Sequence, residues 1–181
     1  MFEIMLAAEL LSKAYRTELA TPDGGELVST TGMVFKAHHS YAAVKPHDYK
    51  CVLVPGGDPF EIMDNHDADN ILRTAHATGT AIGAICAGPV VLAKAGILKE
   101  RRFTHGYGDY HKDFLAPYWA GANFQDEAVV IDGNLVTAKP EAHIDFGIAI
   151  ARIAGAIAND GTADYYRNYY KGNRLPQPSP A

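Results

Sequence analysis

The chain has little that would tie it to an oxidising compartment, a membrane or a nucleic acid. Only two of its 181 residues are cysteine, Cys51 and Cys86. Two cysteines cannot build the disulfide framework of a small secreted domain, so a reducing, cytoplasmic setting is the expectation. No apolar run approaches the roughly 18–20 residues that cross a bilayer. The N-terminus lacks a basic segment followed by an apolar one, so no signal peptide is expected. Sixteen Lys+Arg stand against 21 Asp+Glu, a formal charge of −5. Without a basic cluster such a chain is poorly suited to neutralise phosphates, and nucleic acid is not expected as a partner. The eight histidines show no pair at metal-ligand spacing, and the cysteines are not in a Cys-x-x-Cys arrangement, so no metal is expected. There is no internal repeat and no low-complexity block.

What remains is an ordinary globular composition, 48% hydrophobic and 20% charged, of a size that suits one compact domain. Two kinds of segment alternate. Tyr15–Ala20, Cys51–Val54, Thr80–Ile85 and Leu135–Ala138 are short apolar runs bounded by turn residues, which predicts buried strands. Helical patterns fall at Glu3–Ala14, Ala68–Thr78, Ala87–Ala95 and Ala142–Ile157. Pro89 in a first turn and Gly96 just past an end give one of these helices its start and stop. Gly147, Ala151 and Gly155 form a small-residue stripe that predicts close packing on a sheet. Asp132-Gly133 between two apolar runs reads as a hairpin turn. The alternation predicts an α/β fold, a mostly parallel sheet with helices on both faces. In such a sheet a buried strand ordinarily precedes the first helix, and none stands ahead of Glu3. Residues 1–158 read as the domain and 159–181 as an extension. In that extension Tyr165, Tyr166, Tyr169 and Tyr170 have the spacing of a short docking helix, and residues 175–181 have the composition of a frayed tail.

The chemistry concentrates in Ala84-Ile-Cys86-Ala-Gly-Pro89. A buried strand ends at a cysteine and a helix follows at once, a strand-to-helix elbow with small neighbours that permit a sharp turn. Helix N–H groups and the positive dipole end aimed at the sulfur predict a lowered Cys86 pKa. A second loop, Val54-Pro-Gly-Gly57, opens at the carboxyl edge of another strand, where sites form in open α/β sheets. The Gly57 and Ala87 N–H groups together can make an oxyanion hole, with Gly56 beside them.

These two motifs in this order resemble the ThiJ/PfpI (DJ-one) superfamily, a class I glutamine amidotransferase-like group. Thr104-His-Gly106, the Val130–Thr137 hairpin and the closing Ala/Ile-rich helix fit as well. The resemblance covers residues 2–158 and implies a flavodoxin-like three-layer sandwich, a homodimer and a nucleophilic cysteine. It also implies that Glu3 matches a helix-borne carboxyl, protonated, bonded to the sulfur and shuttling protons. His105 matches a histidine near the cysteine in one branch. His111 falls in a loop-like stretch beside it, while the remaining histidines read as surface or capping residues. The superfamily places a central apolar strand ahead of the Glu-bearing helix, and here it is missing. Ala87 stands where the intracellular-protease branch has His, which argues against a peptidase.

The implied function is a cofactor-independent cysteine enzyme acting on small reactive carbonyls, a glyoxalase III or deglycase that turns methylglyoxal into lactate. Cys86, Glu3 and His105 would be catalytic, with Gly57, Ala87 and Gly56 around the oxyanion. An isonitrile hydratase would use the same elbow, but that branch favours Asp near the Glu3 position. A redox-responsive, chaperone-like protein would instead have Cys86 oxidised to sulfinate.

Overall fold

The computed structural model describes residues 2–173. In chain order the strands are β1 (Ala20–Thr21), β2 (Glu26–Val28), β3 (Val34–Lys36), β4 (His39–Ser40), β5 (Cys51–Val54), β6 (Ala81–Ile85), β7 (Arg102–Phe103), β8 (Asn123–Phe124), β9 (Val129–Asp132) and β10 (Leu135–Ala138). The helices are α1 (Phe2–Leu11), α2 (Phe60–Met63), α3 (His66–Ala77), α4 (Pro89–Lys94), α5 (Lys112–Leu115), α6 (His143–Ile153) and α7 (Asp160–Tyr170). The main sheet runs β5-β6-β10-β9, with β5, β6 and β10 parallel and β9 antiparallel. Together with its helices it forms a flavodoxin-like sandwich.

The three layers follow from alternation along β6 and β10. Ala81, Ile85, Val136 and Ala138 join one core with Ala7 and Leu10 of α1 and Phe146 and Ile150 of α6. Ile82, Ala84 and Leu135 join the other with Leu72 and Ala75 of α3 and Val90 to Leu92 of α4. All five β6 residues are buried, as a strand covered on both faces must be. Phe146 is completely buried, and its ring occupies the place a side chain at Gly83 would need: a Cβ there would lie 2.9 Å from Phe146 Cζ. Truncating Phe146 to Ala would cost about 3–5 kcal/mol.

Several expectations shift on contact with the tertiary structure. The run Tyr15–Ala20 does not form a strand over its length; only Ala20–Thr21 does, paired with His39–Ser40. A ladder needs a neighbour, and among the described residues β1 pairs only with β4 while β5 pairs only with β6. The other side of β5 has no strand partner among the described residues. The small-residue stripe meets a helix as well as the sheet. A Cβ at Gly147 would lie 3.1 Å from the Ala7 backbone nitrogen, so Gly147 lets α1 and α6 approach closely, whereas Gly155 lies beyond the helix end with φ +82°. The hairpin register pairs Leu135 with Asp132, so Gly133-Asn134 form its loop, one residue later than expected. Gly133 has φ +61°, and Asn134 Nδ2 donates to the Thr80 carbonyl at 2.8 Å, tying the loop to β6.

The tyrosine-rich segment is the helix α7, capped by Asn159, whose side chain accepts the Thr162 N–H. It docks on α6 through buried Ala163 and through Tyr166 and Tyr170, while Tyr165 and Tyr169 stay exposed. Arg167 and Lys171 both pair with Asp145, and the Tyr170 hydroxyl donates to Glu9 of α1 at 2.7 Å. The tail at 175–181 lies outside the described residues. No described helix is long and apolar enough to cross a membrane.

Candidate active site

Cys86 follows β6 directly and has φ +61°, one of two non-glycine residues with positive φ among those described. A left-handed conformation costs an ordinary L-residue about 1–2 kcal/mol, so the surroundings must hold it there. They do so from two sides: the Cys86 N–H donates to the Ala138 carbonyl at 2.9 Å, and the Cys86 carbonyl accepts the Gly106 N–H at 2.8 Å. The tight turn also needs its glycines. A Cβ at Gly88 would lie 2.7 Å from the Val54 carbonyl, and one at Gly106 would lie 3.0 Å from Cys86 Cα.

Glu3, near the start of α1, comes to the same place. Its side chain is buried, at 6% exposure, and its Oε2 accepts the Gly56 N–H at 3.1 Å. A Cβ added at Gly56 would lie 2.5 Å from Glu3 Oε2, 2.7 Å from Cys86 Cβ and 3.1 Å from Cys86 Sγ. Gly56 is therefore the bare floor on which carboxyl and thiol converge. Its own N–H is committed to Glu3, so Gly56 stands beside the two expected oxyanion donors, Gly57 and Ala87. Gly57, with φ +120°, has no acceptor for its N–H among the described residues. The Ala87 N–H faces the Cys86 sulfur.

The expected low thiol pKa is overturned. Burial, then the charge of Glu3, then the hydrogen bond with Glu3 push Cys86 up to about 11, and the Ala87 N–H only partly opposes them. The helix contributes less than its sequence suggests. It begins at Pro89, which has no N–H, and spans six residues. The Gly88, Val90 and Val91 N–H groups are already spent on the Ile85, Ala87 and Gly88 carbonyls. Cys86 thus rests as a thiol beside a carboxyl group. Cys51 lies at the opposite end of β5, where burial holds its thiol at about 12, and both cysteines are free.

His105 is brought to the rim rather than to the sulfur. The Thr104 N–H donates to Thr137 Oγ1 at 2.9 Å, which lays this segment alongside β10. The His105 ring stacks on Trp119 at 5.0 Å and on Phe124 at 4.8 Å, and its Nδ1 accepts the Tyr107 N–H at 3.1 Å. Burial, and secondarily Lys139, lower its pKa. A neutral ring with Nδ1 occupied as acceptor carries its proton on Nε2. No hydrogen bond joins His105 to Cys86 among the described residues. His111 packs edge-on against Tyr107 at 5.2 Å. The aromatic group Tyr107, Trp119 and Phe124 was not singled out in the sequence. Only Tyr107, two residues after His105, offered a local signal. No group of described residues has the composition of a metal site.

The chain matches the DJ-1/PfpI family over residues 2–153. A deglycase of Pyrococcus horikoshii is 28% identical over 136 residues, which cover 75% of this chain and 80% of that protein. The protein dj-1beta of Drosophila melanogaster is 30% identical over 154 residues, covering 82% and 80%. The crystal structure of a DJ-1 superfamily protein from Agrobacterium tumefaciens matches with a TM-score of 0.75 at 26% identity, over 93% of each chain. The chain belongs to the DJ-1/PfpI family.

Proposed function

We propose that the protein is a cysteine-dependent enzyme acting on small reactive carbonyls or on the adducts they form, in the manner that the name of its deglycase relative describes. The observation that carries this reading is the convergence of the Cys86 thiol and the Glu3 carboxyl over Gly56, with the Gly57 N–H unbonded beside them.

With methylglyoxal as substrate, Cys86 Sγ bonds to the aldehyde carbon while Glu3 removes the thiol proton. That proton passes to the carbonyl oxygen, giving a hemithioacetal. The Gly57 and Ala87 N–H groups hold the oxygen as its charge develops. Glu3 then moves the hydrogen of the former aldehyde carbon, as a proton, to the neighbouring carbon through an enediol, while the hemithioacetal hydroxyl proton passes to the second oxygen, leaving a lactoyl thioester on Cys86. Water cleaves the thioester, releasing lactate and restoring the thiol. One methylglyoxal and one water make one lactate, with no external oxidant or reductant. A thiol kept protonated at rest suits this route, because a paired base can deprotonate it as it attacks.

The test is methylglyoxal consumption without glutathione, with lactate followed by proton NMR. Cys86→Ser should fall to background, and activity surviving that change would refute the reading. We also propose a homodimer, which sedimentation velocity tests.

A further inference from the structure

Tyr107 stands over this site with a hydroxyl that the protein itself hardly uses. Its nearest acceptor is the carbonyl of Ala87, the residue after the nucleophile, at 3.5 Å, the outer limit of a hydrogen bond. A part-buried tyrosine ordinarily gives its O–H a better partner. The ring is nevertheless fixed. Its edges meet His105 at 5.7 Å and His111 at 5.2 Å, and its N–H is held by His105 Nδ1. His105 is in turn clamped between Trp119 and Phe124. A rigid ring therefore carries a donor with no strong commitment to the rim of the thiol site. Burial, assisted by Cys86 and Asp58, keeps the phenol protonated up to about 12.

We propose that Tyr107 is a specificity-determining residue whose hydroxyl donates a hydrogen bond to the oxygen on the carbon next to the one Cys86 attacks. The proposal rests on the carbonyl reading above and narrows it. Tyr107 is then the group that separates α-oxo and α-hydroxy aldehydes from aldehydes without a second oxygen. The Gly57 and Ala87 N–H groups take the oxygen of the attacked carbonyl and leave the second oxygen to Tyr107. A site built to hydrogen-bond a substrate oxygen discriminates strongly against the analogue that lacks it. His105 is then a positioning residue, acting through the Tyr107 backbone and ring.

The experiment measures the equilibrium between Cys86 and two aldehydes of the same carbon count, methylglyoxal and propanal. Slowed alkylation by iodoacetamide reports adduct formation and needs no turnover. N-acetylcysteine run in parallel corrects for the greater intrinsic electrophilicity of methylglyoxal. In the wild-type protein the corrected preference for methylglyoxal is expected to be at least tenfold. Tyr107→Phe keeps the ring contacts and should reduce that preference at least tenfold, with propanal binding and melting temperature unchanged. His105→Phe, which keeps a ring in the stack but loses the Nδ1 acceptor, should lower the preference by less. An equal preference in wild type and Tyr107→Phe, with both forming the adduct, overturns the role of Tyr107 and leaves the carbonyl reading standing. Failure of wild-type Cys86 to form an adduct with either aldehyde overturns the carbonyl reading and the role of Tyr107 with it.

Discussion

Replacing Glu3 with Gln should make Cys86 more reactive and the enzyme less active, two changes in opposite directions. At a thiol pKa of about 11, roughly one Cys86 in a few thousand is thiolate at pH 7.5. Part of that suppression comes from the charge of Glu3 and its hydrogen bond. Removing a like charge at this range moves a pKa by about 1–3 units. Each unit multiplies the thiolate population by ten but lowers its intrinsic nucleophilicity by about 2.5–3-fold, a net gain of about 3–4-fold. Glu3→Gln should therefore alkylate about 3-fold faster if the shift is one unit and about 30–60-fold faster if it is three. The amide oxygen of Gln can still accept the Gly56 N–H, so the local geometry is kept. The assay is pseudo-first-order loss of Cys86 to iodoacetamide, read by intact mass between pH 6 and 9 in a Cys51→Ser background. Turnover of methylglyoxal should fall at least tenfold, within the roughly 10²–10⁴ of general acid–base groups. Slower alkylation in Glu3→Gln would refute the reasoning. It would mean that Glu3 stabilises the thiolate as a hydrogen-bond donor, the role that the family resemblance first implied.

Three further outcomes are expected. Cys86 should be alkylated well before Cys51, whose thiol is held at about 12 by burial at the far end of β5; a Cys51–Cys86 disulfide in the native protein would contradict the strand register. Glu18→Gln should lower the melting temperature at neutral pH. The hydroxyl of Tyr49, then His39 and more weakly Arg16 bring the Glu18 pKa from 4.5 to about 2, so its contribution is present above pH 4.5 and is lost as pH falls toward 2. A wild-type-to-variant difference that persists unchanged at pH 2 would rule that account out. Truncation before Asn159 should destabilise the protein, because it removes buried Ala163, the two ion pairs to Asp145 and the Tyr170–Glu9 bond. An unchanged melting temperature would show that α7 contributes nothing to the body.

Local signals were enough for the parts of this protein whose conformation is decided by near neighbours in the chain. The apolar runs at 80–85 and 135–138 fall on β6 and β10, which are buried along their length, and the run at 51–54 falls on the partly buried edge strand β5, so a short apolar run between turn residues was enough to mark each as a strand. Cys86 was legible because small residues before and after it permit a turn that few sequences tolerate. Glu3 needed the family resemblance, since nothing within the chain near residue 3 points to residues 56 and 86. What the tertiary structure decided depends on partners far away in sequence. Tyr15–Ala20 is apolar enough for a strand, but β1 is only as long as its pairing with β4. The Cys86 pKa rises rather than falls, because burial and a carboxyl from α1 outweigh the single Ala87 N–H just ahead of a six-residue helix. Gly56 gives its N–H to Glu3, a matter of which acceptor lies 3.1 Å from its nitrogen. The clamp of Trp119 and Phe124 on His105 brings together rings from three segments, which no periodicity within one segment encodes. Burial pattern and turn chemistry are properties of a stretch of chain, whereas pairing, electrostatics and ring packing exist only once distant stretches meet.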